Sequence, residues 1–246
     1  MKNTIFRMVC VAIAGIVLLL VTCYIMKPGL PSWKPLPSNP SEVDFSYTLN
    51  PYIQQVIRQY QRQTPILPLN YKEDPKSLGV SRDLYYRGKK IADGDPQRRA
   101  YCIGFVFEIY MQAQNEVPFS RLFRFKVGNG DQDVFRVFRR LFYGTNSKRT
   151  FAEALVTYNL GVKVSRYEDA LPGDLVQFWR TKGESGHSGI FQGWTYDKKG
   201  VIDGINLYQV SFDTGENTIG HYRISTEVAG SVDPAQTYIV RPVIRK

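Results

Sequence analysis

The 246-residue sequence predicts an α+β domain, with N-terminal helices packed on an antiparallel sheet, preceded by one transmembrane helix. Three observations carry that expectation. An uncharged apolar run covers residues 8–26. Apolar residues then recur at helical spacing from about residue 50 to residue 161, and after residue 171 they gather in short runs between turns. Neither a repeat nor a second linker interrupts the chain after residue 41, so residues 42–246 read as one domain.

The run from Met8 to Met26 holds no charge and no proline. Its about 19 residues, at ~1.5 Å each, suffice to cross a ~30 Å hydrocarbon core. Lys2 and Arg7 precede it without an acid, which predicts residues 1–7 in the cytoplasm and everything beyond residue 26 on the far side of the membrane. A cleaved signal peptide is the rival reading, although its apolar region is usually ~7–15 residues and no small-x-small site follows this run. Residues 27–41 carry Pro28, Pro31, Pro35, Pro37 and Pro40, the composition of an extended spacer.

Asn50-Pro51 has cap and first-turn chemistry, and Ile53, Val56, Ile57 and Tyr60 then fall on one helical face until Pro65 and Pro68 stop the pattern. Residues 83–88 predict a short strand closing in a turn, and Asp93-Gly94-Asp95-Pro96 a loop. From Cys102 to about Gln114 the chain is apolar nearly all round, the mark of a central helix. Residues 131–143 predict another helix, with Gly144 behind it. Thr150 and Glu153 fit a capping box for a helix that Gly161 closes. Leu171-Pro172-Gly173-Asp174 is a turn, and strands follow over residues 175–179, 187–194, 201–210 and 238–244, with a hairpin turn at Asp197-Lys198-Lys199-Gly200.

The formal charge is +10, and 43% of residues are apolar, enough for a sizeable core. The basic residues are interspersed rather than blocked, which argues against a nucleic-acid partner and suits an anionic polymer such as a bacterial wall, or an acidic membrane surface. Cys10 and Cys23 lie inside the apolar run, so Cys102 is the single thiol of the domain. That leaves no intradomain disulfide, and no motif implies a metal or a cofactor. A thiol opening a helix sits where the macrodipole favours thiolate, and His187, opening an apolar strand, can serve as its base. Such a pair is expected to rest as thiolate and imidazolium. His221 has no such context and reads as a surface or loop residue.

The order of three motifs resembles the NlpC-type cysteine peptidases, papain-like enzymes of bacterial cell-wall peptides. They are Tyr101-Cys102-Ile103-Gly104-Phe105-Val106, Pro172-Gly173-Asp174-Leu175-Val176 and His187-Ser188-Gly189-Ile190. The segments 142–144, 160–161 and 177–180 also look like a divergent, mostly uncharacterised bacterial branch of that superfamily. The resemblance implies a papain-like NlpC-type fold and a membrane-anchored hydrolase of amide bonds in cell-wall peptides. It would sit in the bacterial inner membrane through residues 8–26, its catalytic domain in the periplasm or at the cell exterior. Cys102 would be nucleophile and His187 base. A third polar residue would come from the strand after the histidine strand, where Gln209 is favoured and Ser211 and Asn206 are alternatives. A tyrosine upstream, Tyr86 ahead of Tyr85, would lie in the oxyanion region. Ile103 departs from the usual serine and is expected to narrow the site. A lipid-directed thiol acyltransferase or esterase of the same superfamily, and an inactive wall-binding domain, are the alternatives.

Overall fold

The computed structural model describes residues 47–73, 77–118, 125–144, 150–183 and 185–244. Helix α1 (Asn50–Tyr60) places Pro51 in its first turn and buries Ile53, Val56, Ile57 and Tyr60, the face its spacing predicts. Strand β1 (Leu67–Pro68) pairs in parallel with β4 (Arg99–Ala100), and β2 (Leu84–Tyr86) forms a hairpin with β3 (Lys89–Ala92). Helix α2 (Cys102–Glu116) is followed by α3 (Gln132–Tyr143). Asp131 caps α3 by accepting from the N–H groups of Asp133 and Val134, and Gly144 ends it in the left-handed region at φ 60°. Helix α4 (Thr150–Thr157) completes the helical part.

Six strands form one antiparallel sheet: β5 (Gly161–Val164), β6 (Leu175–Arg180), β7 (Gly186–Tyr196), β8 (Ile202–Val210), β9 (Asn217–Arg223) and β10 (Val232–Pro242). The spatial order is β5-β10-β6-β7-β8-β9, so the last strand returns to lie between the first two. Each face of this sheet has its own core. Leu175, Ile190 and Tyr208 pack toward the helices, with the Tyr208 ring 5.6 Å from Phe105 of α2. Phe178, Phe191, Ile205, Leu207 and Val232 form a second cluster on the other face.

The expected fold class needs correction. An NlpC-type papain-like α+β domain behind a transmembrane helix is not what the described residues show. They form a mixed helix-and-sheet unit with four helices and the six-stranded sheet, and two small two-stranded pairs lie among the helices. No helix among the described residues is long and apolar enough to cross a membrane. The most apolar long helix, α2, has 15 residues and carries Glu108; it is apolar because protein surrounds it. The predicted span at residues 8–26 and the spacer at 27–41 lie outside the described residues, as does the Thr150 side chain of the predicted capping box. Strands β5 and β9 were not legible in the sequence: β5 is only four residues long, and β9 shows no apolar alternation over its length.

The turn at Leu171–Asp174 is held by a buried ion pair. Asp174 accepts from Arg241 of β10 at 3.0 and 2.9 Å, from the Leu171 N–H at 2.8 Å and from the Asn50 amide at 2.8 Å. Arg241 also donates to the Asp169 carbonyl. One carboxylate thus ties α1, the turn and β10 together with almost no solvent access on either partner. Removing a single partner strands the other charge in the core, a loss of about 3–5 kcal/mol. Arg241→Met is therefore expected to lower the urea unfolding free energy by that amount, and Arg241→Met with Asp174→Asn to recover part of it.

Candidate active site

Cys102 is the first residue of α2, with Tyr101 as an extended N-cap residue. The first helical bond runs from the Phe105 N–H to the Tyr101 carbonyl, so the N–H groups of Cys102, Ile103 and Gly104 have no intrahelical acceptor. The turn is pinned from behind. The Tyr101 N–H donates to the Gly79 carbonyl, while the hydroxyls of Tyr101 and Tyr143 donate to the carbonyls of Ser77 and Leu78. Gly104 lies against that segment so closely that a Cβ would stand 2.1 Å from the Gly79 oxygen. Further along α2, Glu108 is fully buried and accepts from Tyr60 Oη at 2.6 Å and from Ser81 N and Oγ at 2.6 and 2.7 Å, with Arg82 Nε at 3.4 Å. Burial holds this carboxyl above its ordinary range.

Cys102 and His187 line one cleft of about 450 Å³, together with Leu69, Asn70, Tyr71, Lys72, Ser211, Phe212 and Asp213. Tyr71 and Phe212 are mostly exposed at its rim. A larger groove of about 650 Å³ lies between β5 and β10 and has neither the thiol nor the imidazole on its wall, so the smaller cleft is the chemically meaningful one.

The two key side chains share the cleft but approach it differently. Register pairs His187 with Phe178, and the imidazole packs 5.8 Å from the Phe178 ring and 5.5 Å from Tyr222. Its Nε2 bonds Gln209 Oε1, so Nδ1 is the nitrogen left for other work. Ser188, one residue on, faces the helix, and its N–H and hydroxyl reach the Cys102 sulfur along with the Ile103 N–H. Among the described residues no hydrogen bond joins the thiol to the imidazole.

Burial dominates both titrations. Desolvation pushes the Cys102 thiol up, against the N–H and hydroxyl contacts that favour thiolate. Desolvation drives His187 down to about 4, against the Gln209 bond, and the Arg180 guanidinium adds to the fall. The expected thiolate–imidazolium pair is therefore corrected: at neutral pH the cleft rests as thiol and neutral imidazole.

Of the candidate third residues, Gln209 is fully buried and bonded to His187. Ser211 lies at the end of β8 and accepts from the Gln209 amide at 3.4 Å. Asn206 faces away, where it meets His221 Nδ1 at 3.1 Å on the exposed surface. His221 itself belongs to strand β9. Tyr86 is also corrected. It is buried, stacked on Phe135 at 3.9 Å, and its hydroxyl accepts from the Val127 N–H, so it belongs to the packing of α3 and not to the cleft. Tyr85 is half exposed in β2 and does not line the cleft either. Ile103 packs against the main core and leaves the cleft open. Sequence reasoning missed Ser188 and Tyr222; the first stands inside the histidine motif, and the second had no signal until β9 placed it beside Gln209.

Among the described residues no cluster of three or more His, Cys, Asp or Glu could hold a metal ion. Compared with known protein families, with characterised proteins and with solved structures, the chain shows no match to any of the three.

Two outcomes follow from the titrations. Iodoacetamide at pH 6 should alkylate Cys102 no faster than free cysteine, the rate rising only above the ordinary thiol value of ~8.5. A fast reaction at pH 6 would restore the ion pair. For His187, the unfolded imidazole binds a proton below ~6.5 while the folded one waits until about 4. In that window the unfolded state carries more protons, so stability falls as pH drops, by roughly 3 kcal/mol in all. Urea midpoints measured between pH 7 and 4 should show this loss, and His187→Gln should flatten it.

Proposed function

We propose that the protein is a cysteine hydrolase, a peptidase or amidase, that attacks an amide carbonyl with Cys102 and uses His187 as proton carrier. The observation that carries this reading is a thiol at the first residue of a buried helix, opening onto the same cleft as an imidazole whose Nε2 is occupied by Gln209. For this step His187 Nδ1, which makes no hydrogen bond to the thiol at rest, must come within reach of the Cys102 sulfur at the shared cleft. It then takes the thiol proton as the C–S bond forms, and the same proton passes to the leaving amine as the C–N bond breaks. Water, deprotonated by His187, then forms a C–O bond to the acyl carbon as the C–S bond breaks, and the proton returns to the Cys102 sulfur. The N–H groups of the first turn of α2, which have no acceptor within the helix, are the donors this reading assigns to the oxyanion. A neutral resting pair fits general-base attack better than attack by a standing thiolate.

Peptides of the bacterial cell wall are the substrate class this reading favours. Its support is the motif order shared with NlpC-type peptidases and a surface whose interspersed basic residues suit an anionic polymer. In the same reading the domain works outside the cytoplasm, on the strength of the basic flank and apolar run that precede it in sequence. A second reading, a thiol acyltransferase or esterase of lipids, is favoured by the exposed Tyr71 and Phe212 at the cleft rim.

Full-length protein incubated with purified peptidoglycan and, separately, with phospholipid vesicles decides between them by product analysis. New amine termini from peptidoglycan, lost by ~10³-fold or more in Cys102→Ala, are the expected result. Lysolipid or transacylated lipid would favour the second reading. Wall binding retained by Cys102→Ala, with no turnover of either substrate by the native protein, would overturn both in favour of a binding domain.

A further inference from the structure

The imidazole of His187 ends a chain of hydroxyl and amide groups whose direction is set at its far end. The Thr214 hydroxyl lies 2.8 Å from the Glu216 carbonyl and 3.2 Å from the Ser211 carbonyl. A carbonyl only accepts, so the Thr214 proton is committed to one of these two, and Thr214 Oγ1 presents its lone pairs to Ser211 Oγ at 3.2 Å. Ser211 Oγ is then free to donate to Thr214 Oγ1, with Tyr222 also in reach of its hydroxyl, and it accepts from the N–H of Thr214 at 3.3 Å and from the Gln209 amide nitrogen at 3.4 Å.

That assignment orients the amide. With Nε2 of Gln209 on Ser211, its Oε1 faces the other way and accepts both from Tyr222 Oη, at 2.5 Å, and from His187 Nε2. Gly220 makes the room, since a Cβ there would stand 2.1 Å from the Gln209 amide nitrogen. An imidazole that must donate from Nε2 is the tautomer with a free lone pair on Nδ1. With the amide reversed, its NH₂ would meet Nε2 and the proton would move to Nδ1, the nitrogen a general base needs empty.

We propose that Ser211 and Thr214 are positioning residues, forming with Gln209 and Tyr222 a one-way hydrogen-bond relay that fixes the base-competent tautomer of His187. The relay rests on the proposed role of His187 as base, and its test reads the imidazole directly.

The chain has only two histidines, so full-length protein labelled with ¹⁵N-histidine gives two imidazole spin systems, separable by His221→Gln. At pH 7 the native protein should show His187 as the Nε2–H tautomer alone. Ser211→Ala and Thr214→Val should each introduce the Nδ1–H tautomer, and Ser211→Thr should retain the native signal. If turnover is established, the two disruptive variants lower kcat about tenfold with KM unchanged. A native spectrum with Nδ1–H, or either disruptive variant retaining the native tautomer alone, overturns the relay. Absence of turnover in native protein that shows the expected tautomers overturns the hydrolase reading instead and leaves the relay standing.

Discussion

The constraint on which the rest of the structure depends is the burial of helix α2 on every side. A helix apolar all round cannot rest on a surface, and this one is enclosed by α1, α3, the 77–82 segment and the sheet. Enclosure alone would let it slide along its axis. Glu108 prevents that, because a buried carboxylate needs its donors, and Tyr60, Ser81 and Arg82 supply them from two neighbouring segments. At the N-terminus Gly104 admits the Gly79 backbone to close contact, where any side chain would force the turn outward. The position of the Cys102 sulfur is thus a consequence of packing set well away from it.

The same burial decides the electrostatics of the cleft. Helix-terminal placement favours thiolate, and so do the donors around the sulfur, but the apolar surroundings that hold α2 desolvate the thiol in part while the residue keeps some access to the cleft. The imidazole meets the same condition on the other face of the sheet, between Phe178 and Tyr222. Desolvation therefore moves the two groups in the directions that leave each of them neutral. Under the proposed reaction, a thiol arranged in this way would be activated only at the moment of attack, by proton transfer.

Much of the secondary structure was legible, and the reasons are local. The faces of α1 and α3, the turn before β6 and the hairpin between β7 and β8 each follow from periodicity or turn chemistry within a dozen residues. Period 2 along β8 also put Gln209 and Ser211 on one face and Asn206 on the other, which the structure shows. The misreadings share a different cause. Tyr86 looked available because an upstream tyrosine suits the resemblance, yet its ring is taken by Phe135 from α3, some 50 residues on. Ile103 looked like an obstruction beside the thiol, and its side chain turns instead into the core.

By itself the sequence determined which residues could do chemistry and on which elements they stand: a lone domain thiol opening a helix, and a histidine opening a strand. It could do so because capping, periodicity and turn preference act over short stretches of chain. Only the tertiary structure decided how those residues behave. Strand order placed β9 beside β8 and so brought Tyr222 to Gln209, the return of β10 brought Arg241 to Asp174, and desolvation at two separate places, by the packing of α2 and by Phe178 with Tyr222, moved thiol and imidazole each toward its neutral form. Such outcomes depend on contacts between distant segments and on the exclusion of water, and neither is written in local pattern.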